Sequence, residues 1–326
     1  MKYDVFGLGN PLIDVIISVD EETMTELTLQ KGSMNLVDQK RQQQILTHCE
    51  GLPHKESLGG SCGNSIVMIA QLGGNAAFAG NAGNDHFAKV YIDQLEQAGA
   101  ASYLHCEEGM TGTSVILVTP DGERTMNTHL GKCQDLNKEG LNLHALSQSR
   151  FLYIEGYLWD TPSQQEAVMS AVKTAKEKGV KIALSLSDSF CVERNKAAFS
   201  MLLKDYVDLV FCNEAEGQHM TGEKDPTAIV EALHKDVPEV ALTLGAKGAI
   251  ILNRGNISLI EPFPTTAVDT TGAGDSFAAG YLFGITQGMS AAHAGRIGSK
   301  AASLVVSQLG PRYEGDLKGA LKEVLS

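Results

Sequence analysis

A glycine-rich segment near the carboxyl end of the chain, Asp269-Thr-Thr-Gly-Ala-Gly-Asp275, has residue types suited to phosphate chemistry. Its triplet Gly272-Ala273-Gly274 lets a loop turn sharply and points several backbone N–H groups one way. The residues that follow have a helical pattern, so the loop lies at a helix N-terminus, which favours an anion. Beside a phosphate, Asp275 is placed to accept the proton of an attacking hydroxyl. The alternative is a plain strand-to-helix turn capped by an aspartate.

Polar residues in the amino-terminal part form two further candidate ligand contacts. Asn10 and Asp14 follow an apolar strand, and Asp14 stands in an otherwise apolar run, where an unpaired carboxylate is costly to bury. Either a ligand with paired hydroxyls or nearby turn backbone satisfies it. The segment Gly59-Gly60-Ser61-Cys-Gly-Asn64 opens a helix, and its small residues allow a ligand close to the backbone. Its serine and asparagine can bond polar groups, although the serine can equally be a helix N-cap.

Two segments are typical of the nucleotide side of a phosphotransfer site. Asn213-Glu-Ala-Glu216 follows a strand, and its carboxylates could order Mg²⁺ and its waters. Thr243-Leu-Gly245-Ala-Lys-Gly248 joins two strands through a glycine turn that could lie along a nucleotide. Trp159 lies just past another strand, where α/β proteins bind ligands, but packing in the core is the favoured interpretation.

Alternating strand and helix patterns position these segments. Strands are predicted at 3–8, 76–79, 151–154, 181–186, 209–212, 240–244 and 249–252, and helices at 62–72, 89–97, 163–178, 196–203, 227–235, 274–286 and 291–307. This alternation indicates a three-layer α/β/α fold with a mostly parallel central sheet. A hairpin around Asp121-Gly122 and two early strands do not fit it, and predict a small lid sheet from roughly 12–37 and 102–132. We expect one domain over 1–326, with the remainder forming its large core.

Composition limits the partners and the location of the protein. The net charge is −13, which argues against nucleic acid, because binding it needs clustered Lys and Arg. No apolar run approaches the ~18–20 residues of a membrane span, and the N-terminus lacks the pattern of a secretion signal. The six cysteines are scattered without a CxxC pair and are expected to be free thiols. We therefore expect a cytoplasmic protein with no nucleic-acid or membrane partner.

Together these segments resemble the ribokinase-like (PfkB-type) carbohydrate and nucleoside kinases, over nearly the whole chain. Segment 269–275 matches the family's C-terminal signature, Gly59-Gly60 with Asn64 its amino-terminal one, and Asn213 with Glu216 its Asn-x-x-Glu motif. The resemblance implies a ribokinase-like fold, ATP as co-substrate, Asp275 as base and the Gly272–Gly274 backbone as anion hole. It also implies Mg²⁺ ordered through water by Glu216. The further contacts that it implies are Thr243, Gly245 and Gly248 near ATP, and Asp269 and Thr271, with a carbonyl near Gly310, around an activating K⁺.

Within that family the adenosine kinases are most similar. Their opening Gly-Asn-Pro-Leu-x-Asp is present as Gly9–Asp14, and their Leu-Ser-x-x-Phe strand end as Leu186–Phe190. The likeness implies Asn10, Asp14 and Asn64 on the ribose hydroxyls, and Arg124 on the lid reaching toward phosphates. The other substrate contacts that it implies are Gly59, Gly60, Ser61, Ser114 and Tyr157. Three residues depart from the pattern around the base pocket, namely Glu155, Trp159, and Ser114 in place of a cysteine.

The predicted activity is transfer of the ATP γ-phosphoryl group to the 5′-hydroxyl of a purine nucleoside, adenosine before others. The alternatives are inosine, guanosine, ribose or fructose as acceptor, and a non-catalytic relative that only senses nucleotide. The oligomeric state stays open. The adenosine kinases are usually monomeric, whereas lid strands that pair between copies would give a homodimer.

Overall fold

The computed structural model describes residues 1–325, which form two β-sheets with helices around them. The strands, in chain order, are β1 (Tyr3–Leu8), β2 (Leu12–Ser18), β3 (Met34–Leu36), β4 (His54–Leu58), β5 (Ala76–Gly83), β6 (Ala101–Glu107), β7 (Gly112–Val118), β8 (Arg124–His129), β9 (Ser149–Glu155), β10 (Lys181–Ser185), β11 (Leu209–Asn213), β12 (Glu239–Thr243), β13 (Ala249–Asn253) and β14 (Asn256–Ile260). The helices are α1 (Glu21–Glu26), α2 (Gln39–His48), α3 (Ser61–Gln71), α4 (His86–Gln97), α5 (Leu143–Ser147), α6 (Pro162–Lys178), α7 (Ser189–Asp205), α8 (Glu214–Thr221), α9 (Pro226–His234), α10 (Ala273–Thr286), α11 (Ala291–Val306), α12 (Leu317–Ala320) and α13 (Lys322–Leu325).

The larger sheet has nine strands in the order β14-β13-β12-β11-β10-β9-β1-β5-β6. The seven from β12 to β6 run parallel, while β13 and β14 form an antiparallel extension at one edge. Helices cover both faces, because alternate strand residues enter two apolar clusters. Val5 belongs to one cluster, together with residues of α3, α4, α10 and α11, whereas its neighbour Phe6 belongs to the other, together with residues of α6, α7, α8 and α9. The predicted three-layer α/β/α fold is confirmed.

The smaller sheet has five strands in the order β3-β8-β7-β2-β4. The predicted hairpin joins β7 to β8, and Gly122 in its turn has φ 85° and donates its N–H to the carbonyl of Thr119. One face of the sheet packs on the apolar side of α1 and α2, with Ile17, Met24 and Ile45 buried. The opposite face carries Asp14 toward the large sheet's carboxyl edge, where ligands bind in α/β proteins.

The membership of the small sheet differs from the predicted lid segments in two places. β4, with the sequence His-Lys-Glu-Ser-Leu, pairs with β2, although its polar residues give no strand signal. Such polarity is usual for an edge strand, which charged side chains protect from further pairing. β6 pairs with β5 in the large sheet, because β5, α4 and β6 form a parallel strand–helix–strand unit. Residues 102–107 therefore lie outside the small sheet.

Helix and strand ends differ from the predictions at a few points. α7 begins at Ser189, capped by Asp188, well before the predicted residue 196. Asn195 has non-helical backbone angles inside it, which explains the interrupted apolar pattern. The edge strand β14 was not predicted. All six cysteines are free thiols, as expected. Among residues 1–325 no helix is both long and apolar enough to cross a membrane.

Candidate active site

The glycine-rich loop lies at the start of α10, as the sequence predicted. Gly272 is the N-cap, with φ 77°, and a Cβ at this position would collide with the backbone of Pro311, so only glycine fits. The N–H of Ala273 donates to the carbonyl of Thr270. Within the described chain, the N–H groups of Gly274 and Asp275 donate to no acceptor. The loop therefore presents unpaired donors at a helix N-terminus, as an anion site requires.

The side chain of Asp275 is held by the start of α3. Ser61 Oγ donates to its Oδ1 at 2.6 Å, and Asn64 Nδ2 donates to its Oδ2 at 3.0 Å. Ser65 Oγ donates to its backbone carbonyl at 3.0 Å. Burial raises the pKa of Asp275, and the bonds from Ser61 and Asn64 oppose that shift. A fixed carboxylate with a raised pKa is suited to accept a proton.

A cavity of about 510 Å³ lies between this loop, the start of α3 and the small sheet. Many of the predicted site residues line it, namely Asp14, Gly60, Ser61, Asn64, Ser114, Tyr157, Asn213, Glu216, Thr243, Gly245, Thr271, Gly272, Ala273, Gly274 and Asp275. Leu12 and Met126 add apolar surface from the small sheet. Burial and the neighbouring Asp188 raise the pKa of Tyr157. The lining therefore mixes polar groups, among them Asp14, Ser114 and Asp275, with the apolar side chains of Leu12 and Met126.

A second cavity, of about 430 Å³, opens on the other side of the loop. It is lined by Pro262, Phe263 and Val306, together with the predicted nucleotide residue Gly248. Both cavities share one set of lining residues, which are Thr243, Gly245, Thr270, Ala273, Gly274 and Phe277. Two ligands bound side by side would thus meet at the anion loop, as phosphoryl transfer requires.

Asp14 is buried, and its carboxylate faces the first cavity. A Cβ at Gly59 would lie 2.8 Å from both carboxylate oxygens, so glycine leaves room for the aspartate there. Burial raises the pKa of Asp14 to about 6, while Arg312 and Arg124 lower it. In residues 1–325 no group donates a hydrogen bond to this carboxylate. Of the two explanations that the sequence left open, the ligand one therefore fits better than the turn-backbone one.

Arg312 is a site residue that sequence reasoning missed. Its guanidinium donates to Ser57 Oγ at 2.6 Å and to the carbonyl of Leu58, both on β4, and to Asn64 Oδ1 at 3.4 Å. Burial lowers its pKa, while the charge of Asp14 opposes that shift. An isolated arginine after Gly-Pro gives no motif, so only the packing of the chain brings it here.

Several residues predicted near the ligand do not line the cavity, among them Gly59 and Arg124, which pairs with Asp269. Asn10 does not line the cavity, since its Oδ1 accepts from Gln164 Nε2 at 3.0 Å. Trp159 is buried against Phe199, with ring centroids 6.4 Å apart, so its packing interpretation is confirmed. Glu155 is buried behind the cavity, outside the base pocket where the sequence placed it.

Asn213 and Glu216 form a capping box at the start of α8. The N–H and Nδ2 of Asn213 donate to the two carboxylate oxygens of Glu216, at 3.0 and 2.6 Å, and the N–H of Glu216 donates back at 2.9 Å. Burial raises the pKa of Glu216 to about 7. Nowhere in residues 1–325 do three His, Cys, Asp or Glu side chains cluster as metal ligands. Glu216 therefore fits a contact with Mg²⁺ through water better than direct ligation.

The carboxylate of Asp269, predicted to help bind a monovalent cation, is bonded to donors within the protein. Its Oδ2 accepts from Arg124 Nη1 and from the N–H of Gly310 at 2.9 Å, and its Oδ1 accepts from the N–H of Thr271 at 2.9 Å. Burial raises the pKa of Asp269, but these donors and the Arg124 charge outweigh it and lower the pKa. The arginine already compensates the carboxylate charge, so a monovalent cation would compete with Arg124.

Comparison with known proteins agrees with this geometry. Residues 32–316 match the family model described as pfkB family carbohydrate kinase. The chain belongs to the pfkB family. It is 34% identical to a probable sugar kinase from Rhizobium etli, with a TM-score of 0.89 over 99% of this chain and 98% of that one. It is 35% identical to the adenosine kinase from Sinorhizobium meliloti, with a TM-score of 0.88 over 99% of each chain.

A curated relative, the adenosine kinase of Saccharomyces cerevisiae, is 26% identical over 94% of this chain and 95% of its own length. The predicted family is thereby confirmed. As a pfkB-family member, the protein is a sugar or nucleoside kinase, a phosphotransferase that acts on a hydroxyl group, and its family is one of ATP-dependent kinases.

Proposed function

We propose that this pfkB-family kinase transfers the γ-phosphoryl group of ATP to the 5′-hydroxyl of a purine nucleoside, most readily adenosine. The observation that carries the proposal is the meeting of two cavities at the anion loop. Asp275 faces the first of them, which also holds the carboxylate of Asp14. That carboxylate suits the paired hydroxyls of a ribose, and the side chains of Leu12 and Met126 and the ring of Tyr157, which also line the cavity, suit a flat base.

In the proposed reaction the acceptor binds in the first cavity and ATP in the second. Asp14 accepts hydrogen bonds from the ribose hydroxyls, and Asn64 lies beside them. Asp275 takes the proton of the attacking hydroxyl, while the N–H groups of Gly274 and Asp275 stabilise charge on the transferred group. Mg²⁺, carried by the phosphates of ATP, would neutralise their charge, with Glu216 contacting it through water. Because Asp269 is occupied, no step depends on K⁺.

The small sheet is proposed to act as a lid over the acceptor. Several contacts hold it to the core; among them Arg124 pairs with Asp269, Lys55 pairs with Glu314, and Arg312 donates to Ser57 Oγ. With these contacts formed, the lid shields the reacting groups from water and limits ATP hydrolysis. Limited proteolysis tests this role, since a lid that is cut equally fast with and without substrate does not close.

A free sugar is the second candidate acceptor, because the similar protein from Rhizobium etli is a probable sugar kinase. Ser114, Met126 and Tyr157 would decide between the two, since these side chains would contact a base, which a free sugar lacks. A non-catalytic sensor is disfavoured, because a protein that only binds nucleotide would not need the two bonds that orient the carboxylate of Asp275.

The experiment that tests the function is ADP release with Mg-ATP against adenosine, inosine, guanosine, ribose and fructose, with Asp275→Ala beside the wild type. Fast turnover of adenosine alone, lost in the variant, supports both the acceptor and the base. Faster turnover of a free sugar leaves the mechanism intact and rejects the nucleoside. No turnover with any acceptor favours the sensor.

A further inference from the structure

Glu155 joins two segments that are far apart in the sequence. It lies at the carboxyl end of β9, near the middle of the large sheet, and its side chain is buried. Its Oε1 accepts the N–H of Asn10 at 2.7 Å, and its Oε2 accepts the N–H of Cys62 at 2.8 Å. Asn10 belongs to the turn between β1 and β2, and Cys62 to the first turn of α3. One carboxylate therefore connects both segments that border the acceptor cavity.

The first turn of α3 needs an acceptor from outside the helix. Its N-cap is Gly60, which has no side chain to cap it, and the N–H groups of a first helical turn have no partner within the helix. Glu155 supplies an acceptor, and the helix dipole favours a negative charge at this end. The same turn carries Ser61 and Asn64, which both donate to Asp275. Glu155 thus fixes the helix end that orients the proposed base.

The turn between β1 and β2 is packed tightly against the same carboxylate. A Cβ on Gly9 would lie 2.8 Å from Glu155 Oε2, so glycine is needed for this approach. Gly60 has φ 80°, and a Cβ there would collide with the carbonyl oxygen of Asn10. The two segments therefore touch through their backbones, and the turn leads directly into β2, which carries Asp14.

The surroundings of Glu155 contain acids and no counter-charge. In residues 1–325 no cation faces it, and the titratable groups around it are Cys62, Tyr91, Cys133, Tyr153, Tyr157 and Asp275. Burial raises the pKa of Glu155 to about 7, the bonds from Cys62 and Asn10 oppose the shift, and the charge of Asp275 adds to it. Near neutral pH both forms are populated, and the ionised form binds N–H groups more strongly.

We propose that Glu155 is a positioning residue of the acceptor site, which sets the distance between Asp14 on one side and Asn64 with Asp275 on the other. The inference rests on the proposed function, which assigns those three residues to the acceptor and the base. Glu155 lines neither cavity and acts through the two backbone segments. The nucleotide cavity is built by other elements, so Glu155 affects acceptor binding and alignment and leaves ATP binding unchanged.

The kinetic test compares Glu155→Gln with Glu239→Gln. Glu239 lies at the amino end of β12, accepts the hydroxyl of Tyr281 and borders neither cavity, so it is a matched loss of a carboxylate. For Glu155→Gln we expect kcat/KM for the acceptor to fall by about ten- to a hundredfold, because small misalignments are costly in catalysis. The KM for ATP stays constant, and the component of the pH–rate profile near pH 7 disappears. The proposal would be overturned if both variants lowered the melting temperature and neither changed kcat/KM for the acceptor.

A second measurement uses the wild type and needs no turnover. The amide signals of Asn10 and Cys62 are followed by NMR between pH 5 and 9, and both are expected to shift with one midpoint near that of Glu155, about 7. If no acceptor is phosphorylated, the proposed function fails, yet this titration still decides the role of Glu155. Two amides that titrate separately, or not at all, would show that no shared carboxylate holds the two segments.

Discussion

The guanidinium of Arg124, on β8 of the small sheet, pairs with the carboxylate of Asp269 at the start of the anion loop. Their side chains are only 15% and 9% exposed, so this is not a screened surface pair. Asp269 also accepts from the N–H groups of Thr271 and Gly310. The pair therefore ties the small sheet to the loop that would hold the transferred phosphoryl group.

This arrangement predicts a weak response to monovalent cations in the wild type and a strong one in Arg124→Ala. With the arginine present, exchanging K⁺ for Na⁺ or tetramethylammonium should change the rate little. Without it, the carboxylate of Asp269 loses its counter-charge, so a small cation such as K⁺ or Na⁺ should restore activity that tetramethylammonium does not. The measurement is the steady-state rate at constant ionic strength, with Lys55→Ala as the control, because its partner Glu314 is exposed. Strong K⁺ activation of the wild type, unchanged in Arg124→Ala, would contradict the prediction.

Asp275→Asn should remove the proposed base and keep the shape of the site. We expect kcat to fall by about 10²- to 10⁴-fold, as for the loss of a general base. The KM for the acceptor should change far less, because the amide oxygen still accepts one of the two bonds from Ser61 and Asn64. Rapid-quench or steady-state assays give kcat, and the melting temperature checks the fold. A kcat within a few fold of the wild type would remove Asp275 from the reaction.

Acceptor binding should weaken as the pH falls through about 6, the pKa to which burial raises Asp14. Above that pH the carboxylate is charged and accepts hydroxyl bonds strongly; one unit below it, only about a tenth remains ionised. The kcat/KM for the acceptor should therefore drop on the acid side, while the KM for ATP stays flat. Asp14→Asn should lower kcat/KM at pH 8 and reduce this acid limb, leaving the part that comes from protonation of Asp275 and Glu155. An unchanged limb in the variant would assign the titration to another group.

The fold and the anion loop could be predicted because each depends on local signals. The backbone at Gly272 has φ 77° and lies against Pro311, a conformation that requires glycine, so the glycine in the sequence indicates the turn. Asp275 follows from its place in the next turn, and the β12–β13 turn from Gly245 and Gly248. These features depend on residues that are near one another in the chain.

Features that depend on long-range packing could not be predicted. Arg312 reaches β4 only when the C-terminal loop folds against the small sheet, and β4 itself is too polar to look like a strand. Asn10 shares a motif with Asp14, but its side chain accepts a hydrogen bond from Gln164, which is far away in the sequence. The pattern of the strand gives no sign of this contact. The sequence placed Glu155 at the base pocket. Its actual partners, the N–H groups of Asn10 and Cys62, lie in distant parts of the chain and could not be predicted from the residues around it.

Three buried carboxylates predict that the ligand-free protein loses stability as the pH rises through the slightly acidic range. Burial raises the pKa of Asp14 from 3.8 to about 6, and those of Glu155 and Glu216 from 4.5 to about 7. Between these limits the folded protein binds more protons than the unfolded chain, so the free energy of unfolding falls with rising pH. Each group contributes up to about 1.4 kcal/mol per pH unit in that window.

Urea unfolding between pH 4.5 and 8, at constant ionic strength, measures this slope. Glu155→Gln should flatten it, because the neutral amide no longer takes up a proton on folding. Asp121→Asn serves as the control, since the pKa of this exposed carboxylate is lowered to about 2 and its titration lies outside the window. A free energy of unfolding that rises from pH 5 to 7 would show that these carboxylates are already ionised in the folded protein at pH 5, and an equal slope in Glu155→Gln would show this for Glu155 alone.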